Sequence, residues 1–322
     1  MISKNICVIG SGKWGKNHIS TLSQLDCLHG IVEKNKLVLE EIKVKYPKVN
    51  LFNSIDDAID YGFDGYVIVT PAETHFEIAK KIIKSRNHVL VEKPLTTNVA
   101  DAKYLCKLAK KNNVNIMVGH LLLFHPAINK MKQMISENKI GKLQYIYSNR
   151  LNLGTVRTKE NVFWSFAPHD ISIFQYFTDS FPENIFSNGA KMIQEDIHDT
   201  TLTFLEYPNN INCHIYVSWL HPFKEHRLVI IGSEGMLSFE DSAENKPLKF
   251  YDKKVSIDNN TPIEKNGFNK LIKYSNEKPL ELELKYFINH LNDSSLKISN
   301  GESGLDVIKI LQKSTNSLMG KI

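Results

Sequence analysis

The stretch Ile6-Cys7-Val8-Ile9-Gly10-Ser11-Gly12-Lys13-Trp14-Gly15 leaves few folds open to this chain of 322 residues. Four apolar residues in a row read as a strand buried on both faces of a parallel sheet. Glycines at positions 10, 12 and 15 follow at once, and Lys16 to Gln24 has helical character. Strand, G-x-G-x-x-G turn and helix in that order form the first unit of a dinucleotide-binding fold. Gly10 makes the tight turn, Gly12 lets the backbone approach a pyrophosphate, and Gly15 lets the helix close on the strand. Phosphates would meet the amide groups and positive end of the helix, with Lys13 and Trp14 completing the loop.

The second strand, His29 to Val32, ends at Glu33, eighteen residues past Gly15. A carboxylate there accepts hydrogen bonds from an adenine ribose and repels a 2′-phosphate, which favours NAD over NADP. Lys34 and Lys36 oppose that preference, and a solvated loop acid is the alternative. The βα alternation continues. Pro47 ends a helix from Lys36, Ser54 caps another, and Gly65 to Thr70 is a strand ending in Thr70-Pro71. His75 opens the next helix. Val89 to Val91 is a strand that stops at Glu92-Lys93-Pro94, because Pro94 cannot donate a ladder hydrogen bond. Thr96 caps a helix from Asn98 to Asn112, and Asn115 to Val118 is a strand ending at Gly119-His120. This order predicts a doubly wound parallel sheet with right-handed crossovers. Ligands of such sheets bind beyond the carboxyl ends of the strands. Thr70, Pro71, His75, Glu92 and Lys93 are therefore expected at the cofactor, and Lys93 and His120 at the substrate.

Past His120 the pattern changes. An amphipathic helix, Ala127 to Asn138, leads into strands near 141–151, 200–206, 213–219, 227–231, 236–240 and 248–251, and helices at 282–291 and 304–318 close the chain. Such spacing predicts a large, open, mostly antiparallel sheet with one buried face. The expected domains are 1–120, binding NAD(P), and 121–322, an α/β domain for substrate and self-association. Between the strands, Pro168-His169-Asp170 starts a helix. Asp170 is favourable at a helix N-terminus in any case, and His169 is either structural or a base.

The composition, 42% hydrophobic and 23% charged, is that of a soluble globular protein. A net charge of +5, spread along the chain, favours anionic small molecules and not nucleic acid. Cys7, Cys27, Cys106 and Cys213 form no CxxC pair and read as buried thiols in a reducing compartment, with no clustered metal ligands. No stretch matches a signal peptide or a membrane span, so the expected location is cytoplasmic.

Gly10 to Gly15, Glu92-Lys93-Pro94, Gly119-His120 and Pro168-His169-Asp170-Ile171, in that order, resemble the glucose–fructose oxidoreductase / inositol dehydrogenase (Gfo/Idh/MocA) family. The resemblance spans essentially the whole chain. Asn152-Leu153-Gly154 through Arg157, with Trp164 to Asp170, look most like the family's bacterial nucleotide-sugar enzymes of the 3-dehydrogenase type. It implies a Rossmann domain, bound NAD(P), and hydride transfer between nicotinamide and a sugar hydroxyl or ketone. It assigns Lys93 and His169 as catalytic, the two meeting at one substrate oxygen. Lys93 as a cation would stabilise a developing alkoxide, and His169 would take the proton. Asn152 and Trp164 would contact the sugar. Arg150 and Arg157 either bind the anionic part of a nucleotide-sugar or are solvated strand-end arginines. The chain departs from the family twice. Ser165 stands where many members have an aspartate, which puts an inositol-type proton relay in doubt, and Leu123 stands where many have an arginine. A ketosugar reductase, a polyol dehydrogenase and a non-catalytic NAD-binding regulatory or assembly subunit are the competing readings. Ser165 fits the last, while intact Lys93 and His169 oppose it. The open sheet implies a homodimer or homotetramer, with no membrane or nucleic-acid partner.

Overall fold

The structure, a computed structural model, describes residues 4–292 and 295–321. Among these residues the elements run β1 (Ile6–Ile9), α1 (Gly15–Gln24), β2 (Leu28–Val32), α2 (Lys36–Lys45), β3 (Asn50–Phe52), α3 (Ile55–Tyr61), β4 (Gly65–Ile68), α4 (His75–Lys84), β5 (His88–Glu92), α5 (Val99–Asn112) and β6 (Ile116–Gly119). Then come α6 (Pro126–Ser136), β7 (Leu143–Leu151), α7 (Val162–Phe166), α8 (Pro168–Thr178), β8 (Asn184–Ala190), β9 (Thr200–Tyr207), β10 (Ile211–Ser218), β11 (Glu225–Gly232), β12 (Met236–Glu240), β13 (Leu248–Asp258) and β14 (Thr261–Leu271). Helices α9 (Pro279–Asn289) and α10 (Gly301–Leu318) follow.

The first sheet has the order β3-β2-β1-β4-β5-β6, with every neighbouring pair parallel. The chain runs outward from β1 to β3, then restarts at β4 on the other side of β1. That reversal opens a crevice at the carboxyl ends. Register aligns Ile9 with Ile68, Ile68 with Val91, and Glu92 with Gly119. The residues just beyond, Gly10, Thr70, Lys93 and His120, therefore form one row. Every residue of β1, β4, β5 and β6 is buried, as continuous apolar runs require. The expected cap on α5 shifts from Thr96 to Asn98, whose side chain accepts from Asp101 N at 2.9 Å. Thr96 instead donates to the Asn98 carbonyl at 2.7 Å.

Compact packing divides the chain into two units: the chain up to Phe124 with Glu277–Lys309, and His125–Asn276 with the stretch from Ile310 onward. The expectation of a continuous second domain from 121 departs from this at α9, which packs on α1 and on the turn Leu121–Phe124. Phe287 and Leu291 lie over Gly65, where an added Cβ would come within 2.9 Å of Leu291 Cδ2. The helix belongs where its apolar stripe finds cover, not where its place in the sequence suggests.

The second unit carries a sheet of order β14-β13-β12-β11-β7-β10-β9-β8. Only β7 and β10 pair in parallel. Strand β9 alternates strictly: Thr201, Thr203, Leu205 and Tyr207 face in, while Leu202 and Phe204 are exposed. Strands β8 and β14 went unread in the sequence. All of β14 is exposed, and its Pro262, Gly267 and lysines break any alternation. The four cysteines are buried and unbridged. No helix among the described residues is long and apolar enough to cross a membrane.

Candidate cofactor cavity and active site

A cavity of about 790 Å³ opens over the carboxyl ends of β1, β2 and β4, lined by Gly10, Gly12, Glu33, Thr70 and Pro71 among others. The glycine turn shapes it. Gly10 has φ +99°, and a Cβ on Gly15 would lie 2.2 Å from the Gly10 carbonyl oxygen, so only glycine lets α1 approach this closely. A Cβ on Gly12 would meet nothing within 4 Å. It would project into the open cradle that a pyrophosphate needs. No side chain caps α1; in its first turn Lys16 N donates to the Gly12 carbonyl at 3.0 Å and Asn17 N to the Trp14 carbonyl at 2.9 Å, so the positive end of the helix stands at the loop. Glu33 is held at the rim. Its Oε2 accepts from the Ser11 hydroxyl at 2.5 Å and Ser11 N at 3.1 Å, and its Oε1 accepts from Asn35 N at 3.0 Å. Burial raises the proton affinity of this carboxyl, but these donors outweigh it and hold the group ionised below the usual range. The residues present therefore fit a dinucleotide: a glycine cradle, the positive end of an uncapped helix and a fixed ribose acceptor.

Lys93 follows β5 in a loop fastened on two sides. The His75 ring lies between the Pro94 carbonyl (Nδ1, 2.8 Å) and the Thr70 carbonyl (Nε2, 2.9 Å). Burial lowers its pKa. His75 thus ties the Lys93-Pro94 loop to a residue of the cavity wall. Glu92 is likewise held by the fold. Its Oε1 accepts from Trp14 Nε1 at 2.6 Å and His18 Nε2 at 2.8 Å, and its Oε2 from Lys93 N at 3.1 Å. These donors overcome burial and keep the carboxylate ionised. Trp14 is thereby bound to Glu92 through its indole, while Lys13 stays exposed in the loop. His120 is fully buried, and burial takes its pKa down to about 4. It sits inside the fold, and neither ring nitrogen has a hydrogen-bond partner among the described residues. His18 was missed in the sequence, although it lies one turn after Trp14 on the buried face of α1.

In the second unit, His169 lies in the first turn of α8, half-buried, with its carbonyl accepting from Ser172 Oγ at 2.7 Å. Its neighbour Asp170 is buried and takes a forked guanidinium: Arg150 Nε to Oδ2 at 2.7 Å and Arg150 Nη2 to Oδ1 at 3.1 Å. Arg150 is not solvated, and its charge is balanced within the fold by Asp170. Arg157 is exposed, 3.9 Å from Glu160, and remains available. Trp164 is half-buried and donates from Nε1 to Thr315 Oγ1 at 2.9 Å. Asn152 is half-buried after β7, its N–H donating to the Ser218 carbonyl at 3.1 Å.

A family profile described as "Oxidoreductase family, NAD-binding Rossmann fold" matches residues 4–120, and the GFO/IDH/MocA C-terminal domain profile matches 128–238. Myo-inositol 2-dehydrogenase of Thermotoga maritima is 26% identical over 200 residues, 60% of each chain. UDP-N-acetylglucosamine 3-dehydrogenase of Acidithiobacillus ferrooxidans is 26% identical over 196 residues, 61% of each chain. The match thus spans about three fifths of the length of these two relatives. A solved structure of the Acidithiobacillus enzyme superposes with a TM-score of 0.86 at 22% identity, over 100% of this chain and 99% of that one. Scyllo-inositol dehydrogenase from Lactobacillus casei, solved with NAD(H) and scyllo-inositol, superposes at 0.78 with 18% identity, over 99% and 97%.

Proposed function

The chain belongs to the GFO/IDH/MocA oxidoreductase family and carries its NAD-binding Rossmann fold, and on that footing we propose that it moves a hydride between NAD and a sugar hydroxyl, the sugar being part of a nucleotide-sugar oxidised at carbon 3. One observation carries the dehydrogenase reading. Through the His75 ring, the loop bearing Lys93 is bound to Thr70, a wall residue of the dinucleotide cavity. A lysine fastened there is suited to act on a hydroxyl presented to the cofactor. Bound nicotinamide supplies the hydride acceptor. The Lys93 ammonium holds the hydroxyl oxygen and stabilises negative charge as it develops. His169 removes the proton, a role that suits an imidazole near neutral pH. Asn152, Trp164 and Arg157 are proposed for the sugar and its phosphate. The nucleotide-sugar reading draws on the similarity to UDP-N-acetylglucosamine 3-dehydrogenase and on Ser165, which removes the aspartate that an inositol-type relay would use. Domains at 1–120 and 121–322 in the broad sense, a cytoplasmic location and a homo-oligomer formed through the open sheet face belong to the same proposal.

The test is NADH formation from UDP-N-acetylglucosamine, with myo- and scyllo-inositol alongside. Wild type should reduce NAD with the nucleotide-sugar, and Lys93→Met should lower turnover by about three orders of magnitude while NAD still binds. Turnover of the inositols alone would replace this reading with the polyol one. Tight NAD binding with no turnover of either class would favour a non-catalytic subunit.

A further inference from the structure

Glu283 on α9 is fully buried, and neither carboxyl oxygen has a hydrogen-bond partner among the described residues. A buried carboxyl without partners is costly in a fold, and an ionised one far more so. The helix packs on α1, which carries His18, and on the turn that follows His120. Three more orphaned atoms lie in these neighbouring elements: His18 Nδ1 and both ring nitrogens of His120. Glu92 and Lys93 are the charged groups that act on His120, and Glu92 is the one that acts on Glu283. Glu92 has three donors on its carboxylate, whereas Glu283 has none. Two carboxyls that repel each other in one low-dielectric region cannot both ionise freely, and the one with donors takes the charge. Burial and the Glu92 charge both raise the proton affinity of Glu283.

We propose that Glu283 is a positioning residue for Lys93: a neutral carboxylic acid that donates its O–H, across one water, to Nδ1 of His18. The inference rests on Lys93 acting in turnover, as argued above. With Nδ1 accepting, His18 is held as the tautomer whose Nε2–H points at Glu92 Oε1. Glu92 then remains the single anion behind Lys93, bonded at once to the Lys93 backbone and to Trp14 of the glycine turn. The proton stays on Glu283 throughout; nothing is transferred. What α9 supplies is orientation, reaching Lys93 through two intervening side chains.

Two variants and two spectroscopic readouts test this on the full chain. Glu283→Leu keeps the volume and removes the donor; Glu283→Gln keeps a donor. With NAD and UDP-N-acetylglucosamine, kcat should fall ~10-fold or more in Glu283→Leu with KM little changed, and Glu283→Gln should recover most of it. A merely space-filling acid predicts the reverse, since replacing a buried unpartnered acid by leucine is neutral or stabilising. Infrared spectra at neutral pH should contain a protonated-carboxyl band that Glu283→Gln lacks. In ¹⁵N-histidine spectra the His18 tautomer should persist in Glu283→Gln and be lost in Glu283→Leu. Absence of the band, or an unchanged His18 tautomer in Glu283→Leu, overturns the proposal. The spectra need no substrate, so they decide it even where the nucleotide-sugar is not turned over.

Discussion

Arg150→Met removes one half of a buried ion pair and leaves the other. Both guanidinium contacts to Asp170 are within hydrogen-bond range, at 2.7 and 3.1 Å, and the two side chains are only 12% and 3% exposed. Asp170 would be left as a buried carboxylate without its counter-charge. Breaking a buried pair from one side costs about 3–5 kcal/mol. Asp170 is too enclosed for solvent to make good the loss, so the upper part of that range is expected. Removing both charges in Arg150→Met/Asp170→Leu should recover most of it, because an apolar pair of similar volume carries no desolvation penalty. Arg150→Lys keeps the charge but cannot form the fork, and should cost about 1–2 kcal/mol. The assay is urea unfolding of these three variants and of Asp170→Leu, followed by near-ultraviolet circular dichroism, the coupling energy read from the cycle of both single variants and the double. A loss below about 1 kcal/mol for Arg150→Met, or a double variant no better than the single, would refute the pairing as the anchor of α8. Asp170 adjoins His169, so Arg150→Lys should also lower kcat by about tenfold, more than its folded fraction accounts for.

Wild type should bind NADH at least about tenfold more tightly than NADPH, and Glu33→Ala should narrow the gap, because the fixed carboxylate repels a 2′-phosphate. Fluorescence titration of both nucleotides measures it, and tighter NADPH binding by wild type would remove Glu33 from the ribose role. Acid sensitivity gives another test. His120 falls from its ordinary 6.5 to about 4 on burial, so the unfolded chain takes up the proton first. Its contribution is intact above pH 6.5 and is lost as pH falls toward 4, by at most about 3 kcal/mol. His75, His125, His198, His214 and His226 are depressed by burial in the same direction, so the difference between wild type and His120→Gln is the quantity to read. Urea midpoints at pH 7 and pH 5 should fall less in His120→Gln, and equal losses would mean the imidazole is not buried neutral.

The first sheet was legible because each strand is a short apolar run ended by glycine, proline or a charged residue, and parallel strands leave that trace. That the sheet is parallel and doubly wound followed from the βα alternation. Strand β14 left no such trace because it is exposed over its whole length and has no core to alternate against. The return of α9 to the first unit was hidden for another reason. An apolar helical stripe says that a helix needs cover, and only the tertiary fold says whose. Arg150 shows the same limit in a charge. Twenty residues and a change of element separate it from Asp170, and nothing local marks the two as partners. Glu283, by contrast, left a signal that went unread. It falls inside the stripe of Leu280, Leu284, Phe287 and Leu291, where a charged side chain is out of place.

The place of Glu92 follows from strand geometry that the sequence itself contained. Successive side chains of a strand point to opposite faces, so Glu92 and Lys93 cannot both turn toward the same ligand. Once Lys93 is taken as the group that meets substrate, Glu92 must turn back into the fold. The structure has it there, buried, with its carboxylate held by Trp14 and His18. A substitution at Glu92 should therefore act through order and not through lost ligand contact. Glu92→Gln keeps the acceptor for Trp14 but removes the anion behind the ammonium, and its loss should appear in kcat at unchanged NAD affinity. A variant that weakened NAD binding and left kcat intact would return Glu92 to the ligand's side of the strand.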